Sequence, residues 1–239
     1  MENRELEEEI KVQNKIAKNY EKRYSKNGRL FHEYIVRQMA ARNQKAPTLD
    51  LGCGTGFVFD VLPDCNLTGI DISPGMLDRN PYKDKCICGS AEELTRYYRP
   101  NSFDHIICRA LLHHLQNPRK AIEGMSEVLK AGGTASILET NSSIINRVPR
   151  ELLKLTGRFS KGHRNFEFKE LKEIVETKFT IESVKFIGFI AYPLVGFPDF
   201  INIPLPKGVA EWLIKADDKL AKTPLKTMAF NILIQARKK

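Results

Sequence analysis

The sequence has 239 residues, of which 42% are hydrophobic and 28% are charged. A chain of this length buries about 70–75% of its unfolded surface, so it needs neither a metal nor disulfides to hold its fold. The five cysteines lie between positions 53 and 108 without the paired spacing of a zinc ribbon or a disulfide framework. The first residues are charged where a secretion signal would be apolar, so we expect a cytoplasmic protein.

The net charge is +9, and it is unevenly distributed. Residues 1–45 contain 11 basic and 7 acidic side chains, residues 46–149 contain 10 and 12, and residues 150–239 contain 17 and 10. Basic flanks favour an anionic partner such as nucleic acid, a phospholipid surface or a phosphorylated small molecule. Solubility alone would explain the excess equally well.

The hydrophobic pattern predicts two helices followed by alternating strands and helices. Residues 2–24 and 30–42 have helical spacing and form a predicted N-terminal cap, residues 1–45. Short apolar runs then alternate with helical segments, which predicts a doubly wound α/β domain with a mostly parallel sheet. The runs lack polar alternation, as expected for strands covered on both faces. The predicted strands are 48–51, 67–72, 85–88, 103–108 and 134–138, and the helices are 57–62, 74–79, 91–97 and 118–129.

The pattern is less regular after position 139. Residues 144–155 and 168–179 are predicted helices, and 180–189 and 228–236 are predicted strands. Residues 190–227 begin with an irregular apolar stretch whose four prolines argue against a membrane-spanning helix. Such a stretch suits a pocket wall or a surface for an apolar partner, although a packed excursion without a role is the alternative. We therefore predict a domain over 46–239 with substrate-side insertions at 141–166 and 190–227.

A glycine-rich loop follows the first predicted strand, in TLDLGCGTGFVFDVL (48–62). Glycines allow a positive φ and a close approach of a ligand, and the helix start should leave amide N–H groups facing that ligand. Asp71 lies nineteen residues after Gly52, where an acidic residue accepts hydrogen bonds from ribose hydroxyls in dinucleotide-type folds. Together these features predict an adenosine-containing ligand.

The form of the loop distinguishes between ligands. It reads G-x-G-x-G, whereas nicotinamide-binding loops read G-x-G-x-x-G. Asp50, two residues before the first glycine, would repel a pyrophosphate and attract a positively charged group. A cationic ligand is therefore favoured over a nicotinamide dinucleotide.

At this point the sequence resembles the class I S-adenosylmethionine-dependent methyltransferases. The matching segments are LDLGCGTG (49–56), GIDISPGML (69–77), GSAEEL (89–94), FDHIICRALLHHL (103–115) and VLKAGGTASILE (128–139). The resemblance implies a Rossmann-like sheet of seven strands, the last one antiparallel, with a helical and irregular cap. It also implies S-adenosyl-L-methionine at the carboxyl ends of the first strands.

The resemblance further implies positions for the cofactor-binding residues. The amino-acid end would lie near Asp50, the ribose hydroxyls at Asp71 and the base between the second and third strands. Ser90 stands where many relatives have aspartate, and a serine oxygen accepts a hydrogen bond more weakly. The complete predicted set is Asp50, Gly52, Cys53, Gly54, Asp71, Ile72, Met76, Ser90, Ala91, Glu92 and Arg109.

Methyl transfer mainly requires alignment of the nucleophile, and a base is needed only where the acceptor must lose a proton. His113 and His114 follow the fourth predicted strand and are the candidate bases, with one of the two rings expected to face elsewhere. Glu139 is a secondary candidate. Weaker candidates are His32, and Tyr20, Tyr24 and Arg29 in the predicted cap, while Cys86 and Cys88 are more readily explained as packing groups than as metal ligands.

The acceptor is predicted to be a small or lipid-like molecule, apolar and possibly anionic. The sequence contains no Pro-Pro-aromatic segment after the fourth strand, no Pro-Cys dipeptide and no double-glutamate loop. The alternatives left open are an RNA methyltransferase, a nicotinamide oxidoreductase and a non-catalytic cofactor-binding protein. Peripheral membrane contact is also compatible with the sequence, no metal is predicted, and the oligomeric state is not determined.

Overall fold

The structure is a computed structural model that describes residues 2–17, 27–142, 166–196 and 205–239. Several predictions from the sequence lie outside these residues: the roles of Tyr20 and Tyr24, the helix at 144–155 and most of the insertion at 141–166.

A seven-stranded sheet forms the centre of the protein. Its order is β3-β2-β1-β4-β5-β7-β6. Neighbouring strands are parallel except for β7, which lies antiparallel between β5 and β6. The predicted fold class, with an antiparallel last strand, is confirmed. The strands are β1 Thr48–Leu51, β2 Leu67–Asp71, β3 Cys86–Cys88, β4 Phe103–Arg109, β5 Leu129–Thr140, β6 Phe179–Ile187 and β7 Asn231–Lys238.

Helices connect the strands in the predicted order. They are α1 Glu2–Ala17, α2 Asn27–Met39, α3 Phe57–Val61, α4 Pro74–Leu77, α5 Pro118–Val128, α6 Phe168–Val175 and α7 Lys207–Leu220. The predicted helix at 91–97 is a 3₁₀ helix, Ala91–Arg96, whose Glu93 has non-helical φ and ψ angles. Strand β5 begins at Leu129, five residues before its predicted start, and an irregularity in its pairing with β4 accommodates three extra residues between Leu129 and Thr134.

Only part of the irregular stretch predicted at the start of 190–227 lies within the described residues, and that part contains a π-helical turn at Tyr192–Gly196. The rest of 190–227 contains α7, which the sequence analysis did not predict, and a 3₁₀ turn at Pro224–Met228. Apolar residues at positions 210, 213 and 214 of α7 are buried at helical spacing. The prolines that suggested irregular structure lie before the helix, and the last of them, Pro206, occupies its N-cap position.

Both faces of the sheet are covered, as the continuous apolar strands predicted. On β4, Ile106 and Cys108 belong to one buried cluster and Ile107 to the other, because successive side chains alternate across a sheet. Helices α5 and α6 contribute to the first cluster, and α2, α3 and α7 to the second. The sheet is thereby fixed between two layers, and its carboxyl edge is left to the loops.

None of the helices in the described ranges is long and apolar enough to cross a bilayer. A cavity of about 400 Å³ lies at the amino ends of β4 and β5, lined among others by Arg42, His105 and Ser136. Ligands of open α/β sheets bind at the opposite, carboxyl ends of the strands. The functional site is therefore expected at the carboxyl edge of the sheet.

Candidate functional site

The glycine loop begins where β1 ends, and its shape is held by its own backbone. The N–H groups of Gly52 and Cys53 donate to the carbonyl of Ile70 at 2.9 and 3.1 Å. The N–H of Gly54 donates to Asp71 Oδ2 at 2.8 Å, and that of Gly56 to the Cys53 carbonyl. The loop thus uses these amides to fix its own turn, and the expectation that the amides of the helix start face a ligand stays a prediction. Such a loop is poorly suited to a pyrophosphate.

Asn80 supports the loop from the other side, a role that the sequence analysis missed. Its Nδ2 donates to the Gly54 carbonyl at 3.0 Å, and its Oδ1 accepts from the N–H of Tyr82 at 2.8 Å. A Cβ added to Gly56 would lie 2.5 Å from Asn80 Oδ1, and Gly56 has a φ of 88°. No motif marks Asn80, since it meets the loop only through the fold.

Asp50 is the most unusual group in this region. It is 1% exposed, and its Oδ2 is buried without a hydrogen-bond partner among the described residues. Burial, with a smaller contribution from Asp71, raises its pKa to about 7, although the positive charge of Arg109 acts in the opposite direction. A buried carboxylate oxygen without a donor is costly. A cationic donor in the crevice would satisfy it.

Asp71 lies at the carboxyl end of β2, as predicted, and connects the loop to α4. Its Oδ1 accepts from the N–H of Ser73 at 2.8 Å, while its Oδ2 holds Gly54. Burial raises the pKa of Asp71, and these two hydrogen bonds counteract the effect. Each carboxylate oxygen has a second lone pair, so acceptor capacity for two ribose hydroxyls remains.

The predicted base-binding residues lie beside Asp71. Met76, on α4, is buried, and Ile72 is partly exposed. Ser90 caps the 3₁₀ helix that contains Ala91, because its Oγ accepts from the N–H of Glu92 at 3.2 Å. Glu92 Oε1 in turn accepts from the N–H of Asn117. Both polar side chains thus have structural partners, and their contact with a base stays a prediction.

Helix α1 spans from one side of the crevice to the other. Asn14 Oδ1 accepts from the Ser73 hydroxyl at 2.7 Å and from the N–H of Gly75 at 2.9 Å. Five residues earlier on the same helix, Glu9 Oε1 lies 3.0 Å from Nδ1 of His114. The helix therefore connects the loop after β2 with the turn after β4, which the sequence did not indicate.

Two arginines flank the ring of Phe57, the first residue of α3. The Arg29 and Arg109 guanidinium carbons lie 5.7 and 5.3 Å from the ring centroid, within cation–π range. Arg109, which was expected to begin the loop after the predicted strand 103–108, is the last residue of β4, and its charge acts on Asp50. Arg29, on α2, also donates to Glu33 at 2.6 Å. Arg109 thus brings a positive charge close to the orphaned carboxylate.

Glu139 and His113 form a buried pair at the carboxyl end of β5. Nδ1 of His113 lies 2.6 Å from Glu139 Oε2, and Oε1 of Glu139 accepts from the N–H groups of Leu111 and Leu112 at 3.0 and 2.7 Å. The Glu139 side chain is fully buried and His113 is 5% exposed. Burial raises the pKa of Glu139 to about 7 despite these hydrogen bonds. The arrangement fixes the imidazole ring.

The two histidine rings lie together but contact different carboxylates, and which of them faces an acceptor stays a prediction. The rings of His113 and His114 lie 4.1 Å apart, on the 3₁₀ turn Leu112–His114. Each ring faces a carboxylate, on Glu139 and Glu9 respectively, and these contacts set the orientations instead of helical periodicity.

The weaker candidates from the sequence analysis have other surroundings. His32 packs edge-on against Phe31 and Phe57. Cys86 and Cys88 are free thiols, and no group of three or more metal-binding side chains occurs within the described ranges.

Comparison with known proteins agrees with this geometry. Residues 49–137 match the family model of a methyltransferase domain. The chain is 28% identical over 127 residues to the thiol S-methyltransferase TMT1B of Rattus norvegicus, covering 49% of this chain and 51% of that protein. It is 25% identical over 180 residues to a malonyl-[acyl-carrier protein] O-methyltransferase of Priestia megaterium, covering 68% and 64%. The chain thus spans about half the length of the first of these relatives.

Among solved structures, a methyltransferase of Thermotoga maritima described as a possible histamine N-methyltransferase superposes with a TM-score of 0.68 at 18% identity. The superposition covers 95% of this chain and 99% of that one. At this identity the likeness shows the fold alone.

Residues 49–137 carry a methyltransferase domain, and the family match, the relatives and the fold together support the class I S-adenosylmethionine-dependent type. Its residues fit that cofactor by chemistry. The orphaned Oδ2 of Asp50 suits an ammonium group, and the spare lone pairs of Asp71 suit vicinal hydroxyls. The loop between them lacks the unengaged glycine amides that a pyrophosphate would need.

Proposed function

We propose that this chain transfers a methyl group from S-adenosyl-L-methionine to a small-molecule acceptor whose nucleophile is a thiol or a hydroxyl. The observation that carries the proposal is the buried Glu139–His113 pair at the carboxyl end of β5, on the sheet that also carries the orphaned carboxylate of Asp50 on β1. When bound, the cofactor supplies an electrophilic methyl group on a sulfonium. The protein must hold it, align the acceptor and remove the acceptor's proton.

In this proposal Asp50 holds the cofactor's ammonium group and Asp71 its ribose. The backbone of Gly52, Cys53 and Gly54 lines the cofactor between these carboxylates. Arg109 is close enough to act electrostatically on Asp50, and its charge suits the cofactor's carboxylate. Ile72, Met76 and the segment 90–92 remain the proposed surroundings of the base.

His113 acts as the general base. An ionised Glu139 accepts the Nδ1 proton of His113 and so favours the tautomer in which Nε2 is the basic nitrogen that takes the proton of the acceptor. Glu139 is then a positioning residue, since it acts on the acceptor only through the imidazole. His114, held near Glu9, lies against the His113 ring and stays a second candidate.

The relatives support a small acceptor that must lose a proton. The rat protein is named a thiol S-methyltransferase and the Priestia megaterium protein an O-methyltransferase. A base that removes a proton is useful for either nucleophile. The partly apolar insertion and the basic flanks support an apolar and possibly anionic acceptor. The five free thiols support a reducing, cytoplasmic location.

The test is methyl transfer from radiolabelled S-adenosylmethionine to an alkyl thiol, a phenol, a primary amine and a transfer RNA. We expect label on the thiol or the phenol. In Glu139→Gln, kcat should fall on the order of 10²-fold or more, because the amide stabilises the imidazole tautomer that carries its proton on Nε2 and cannot act as the base. The part of the pH dependence of kcat that comes from this base should also disappear. His113→Asn should lose a similar factor, with unchanged affinity for S-adenosylhomocysteine in both variants.

The same assay decides between the open alternatives. The +9 charge favours RNA as a second acceptor, and label on RNA alone would refute a small-molecule acceptor. A measurable affinity for NADH but none for S-adenosylhomocysteine would refute the cofactor. Full kcat in both His113→Asn and Glu139→Gln would remove the pair from the mechanism while leaving methyl transfer intact.

A further inference from the structure

Helix α7 presents a second apolar strip away from the core. Its inner side, with Ala210, Leu213 and Ile214, is buried. On the outside, Trp212 is 65% exposed and Val209, three residues earlier, is 42% exposed. A tryptophan this exposed, with an apolar neighbour on the same side of the helix, is typical of an interaction surface.

Further apolar side chains are exposed near the ends of this helix. Leu225 and Met228 are exposed on the 3₁₀ turn that follows α7. Ile190 is also exposed, but its N–H donates to Oδ1 of Asp217 at 3.0 Å, on the buried side of α7, so it is not part of this surface. We call the exposed side of α7 and the turn that follows it the α7 face: Val209, Trp212, Leu225 and Met228.

The charge of this region is basic because its acidic groups are engaged inward. Asp217 is buried and accepts three backbone N–H groups, from residues 189 to 191. Asp218 pairs with Lys185 at 2.9 Å and accepts from the Tyr34 hydroxyl. Of the acidic residues on α7 this leaves Glu211, 3.9 Å from Lys207. The exposed lysines in and after the helix are Lys207, Lys215, Lys219, Lys222 and Lys226.

We propose that the α7 face binds the surface of an anionic phospholipid membrane. A tryptophan ring is well suited to the headgroup level of a bilayer, and lysines beside it attract anionic headgroups. A second copy of this chain is a poorer occupant, since two chains of net charge +9 repel one another. The proposal does not depend on the methyl-transfer reaction.

Tryptophan fluorescence can report on this contact without an added label, because Trp212 is the only tryptophan in the sequence. The full-length protein is titrated with phosphatidylcholine vesicles and with vesicles that also contain phosphatidylserine, while tryptophan emission is recorded. We expect a shift to shorter wavelength with the anionic vesicles, and quenching by lipids brominated on their acyl chains. Raising the salt concentration should weaken binding.

The control compares two pairs of lysines at opposite edges of the sheet. Lys215→Glu with Lys219→Glu keeps the reporter and should weaken binding about tenfold or more. Lys83→Glu with Lys85→Glu makes the same charge change beside β3, at the far edge from β6 and α7, and should have little effect. Circular dichroism establishes that both variants are folded.

Three outcomes would overturn the proposal. The first is an emission spectrum that neither vesicle changes. The second is an equal loss of binding in the two double variants, which would mean general charge attraction without a specific face. The third is a spectral shift that depends on protein concentration and needs no lipid, which would assign the α7 face to a second copy of the chain.

Discussion

Asp50 shows how one buried side chain can favour binding at the expense of stability. Its pKa is raised from 3.8 to about 7, so the folded protein binds a proton that the unfolded chain releases between these two values. Its contribution to stability is present at low pH and is lost as the pH rises through about 7. Each unit of the shift corresponds to about 1.4 kcal/mol. A bound ammonium group would remove this penalty.

We therefore expect Asp50→Asn to change two properties in opposite directions. At pH 8 the free energy of unfolding of the cofactor-free protein should rise by roughly 1–4 kcal/mol, because no charge is buried. The affinity for S-adenosylhomocysteine should fall on the order of ten- to a hundredfold. Denaturant unfolding and calorimetry measure the two quantities.

Asp78→Asn, at an exposed carboxylate on the end of α4, is the matched control and should change neither quantity. At pH 5 the stability gain of Asp50→Asn should be much smaller, since Asp50 is then protonated in the folded protein. A loss of stability at pH 8 would contradict this account of Asp50.

At the scale of elements, the glycine loop depends on what packs against it as much as on its own residues. The pattern G-x-G-x-G predicted positive φ angles, and Gly52, Gly54 and Gly56 all have them. The sequence did not show that Asn80 fills the space behind Gly56. A local motif indicates the backbone conformation that the loop needs. The side chain that stabilises this conformation, Asn80, comes from another part of the chain.

Gly56→Ala should accordingly be more damaging than its φ alone implies. The new Cβ would meet Asn80 Oδ1 at 2.5 Å, and Asn80 could then no longer hold the Gly54 carbonyl. We expect a loss of stability on the order of 2–3 kcal/mol and weaker binding of S-adenosylhomocysteine. Thermal unfolding and calorimetry test both effects.

Gly132→Ala is the control, because it introduces backbone strain at a positive φ without a new side-chain contact. Gly132 has a φ of 71°, and a Cβ there would have no atom within 4 Å. It should cost only the strain of the positive φ, on the order of 1 kcal/mol, and leave binding unchanged. Equal effects of the two substitutions on binding would refute the role of Asn80.

At the scale of the molecule, the N-terminal helix α1 contacts two loops that border the candidate site. Asn14 contacts residues 73 and 75, about sixty positions away in the sequence, and Glu9 approaches His114. Helix α1 thus connects two loops that belong to different strands. The α1 contacts support the prediction of an N-terminal cap, although its boundary at residue 45 stays a prediction.

Asn14→Ala should loosen α1 without unfolding the sheet. We expect S-adenosylhomocysteine to dissociate about tenfold faster, because two hydrogen bonds that hold the helix across the crevice are lost. Stopped-flow measurement of dissociation tests this expectation. Lys15→Ala, at an exposed position of the same helix, should leave the rate unchanged. An unchanged rate in Asn14→Ala would show that α1 is not a cover.

The sequence by itself determined the alternation of strands and helices up to β5 and the position of the glycine loop, because apolar periodicity and backbone requirements are local properties. It also marked Asp50 and Asp71 by their spacing from the first glycine, and His113 by its place after the fourth predicted strand. The tertiary structure decided which groups meet. Asn80 behind the loop, Glu139 beneath His113 and α1 across the crevice are contacts between distant segments, and only the folded chain brings them together.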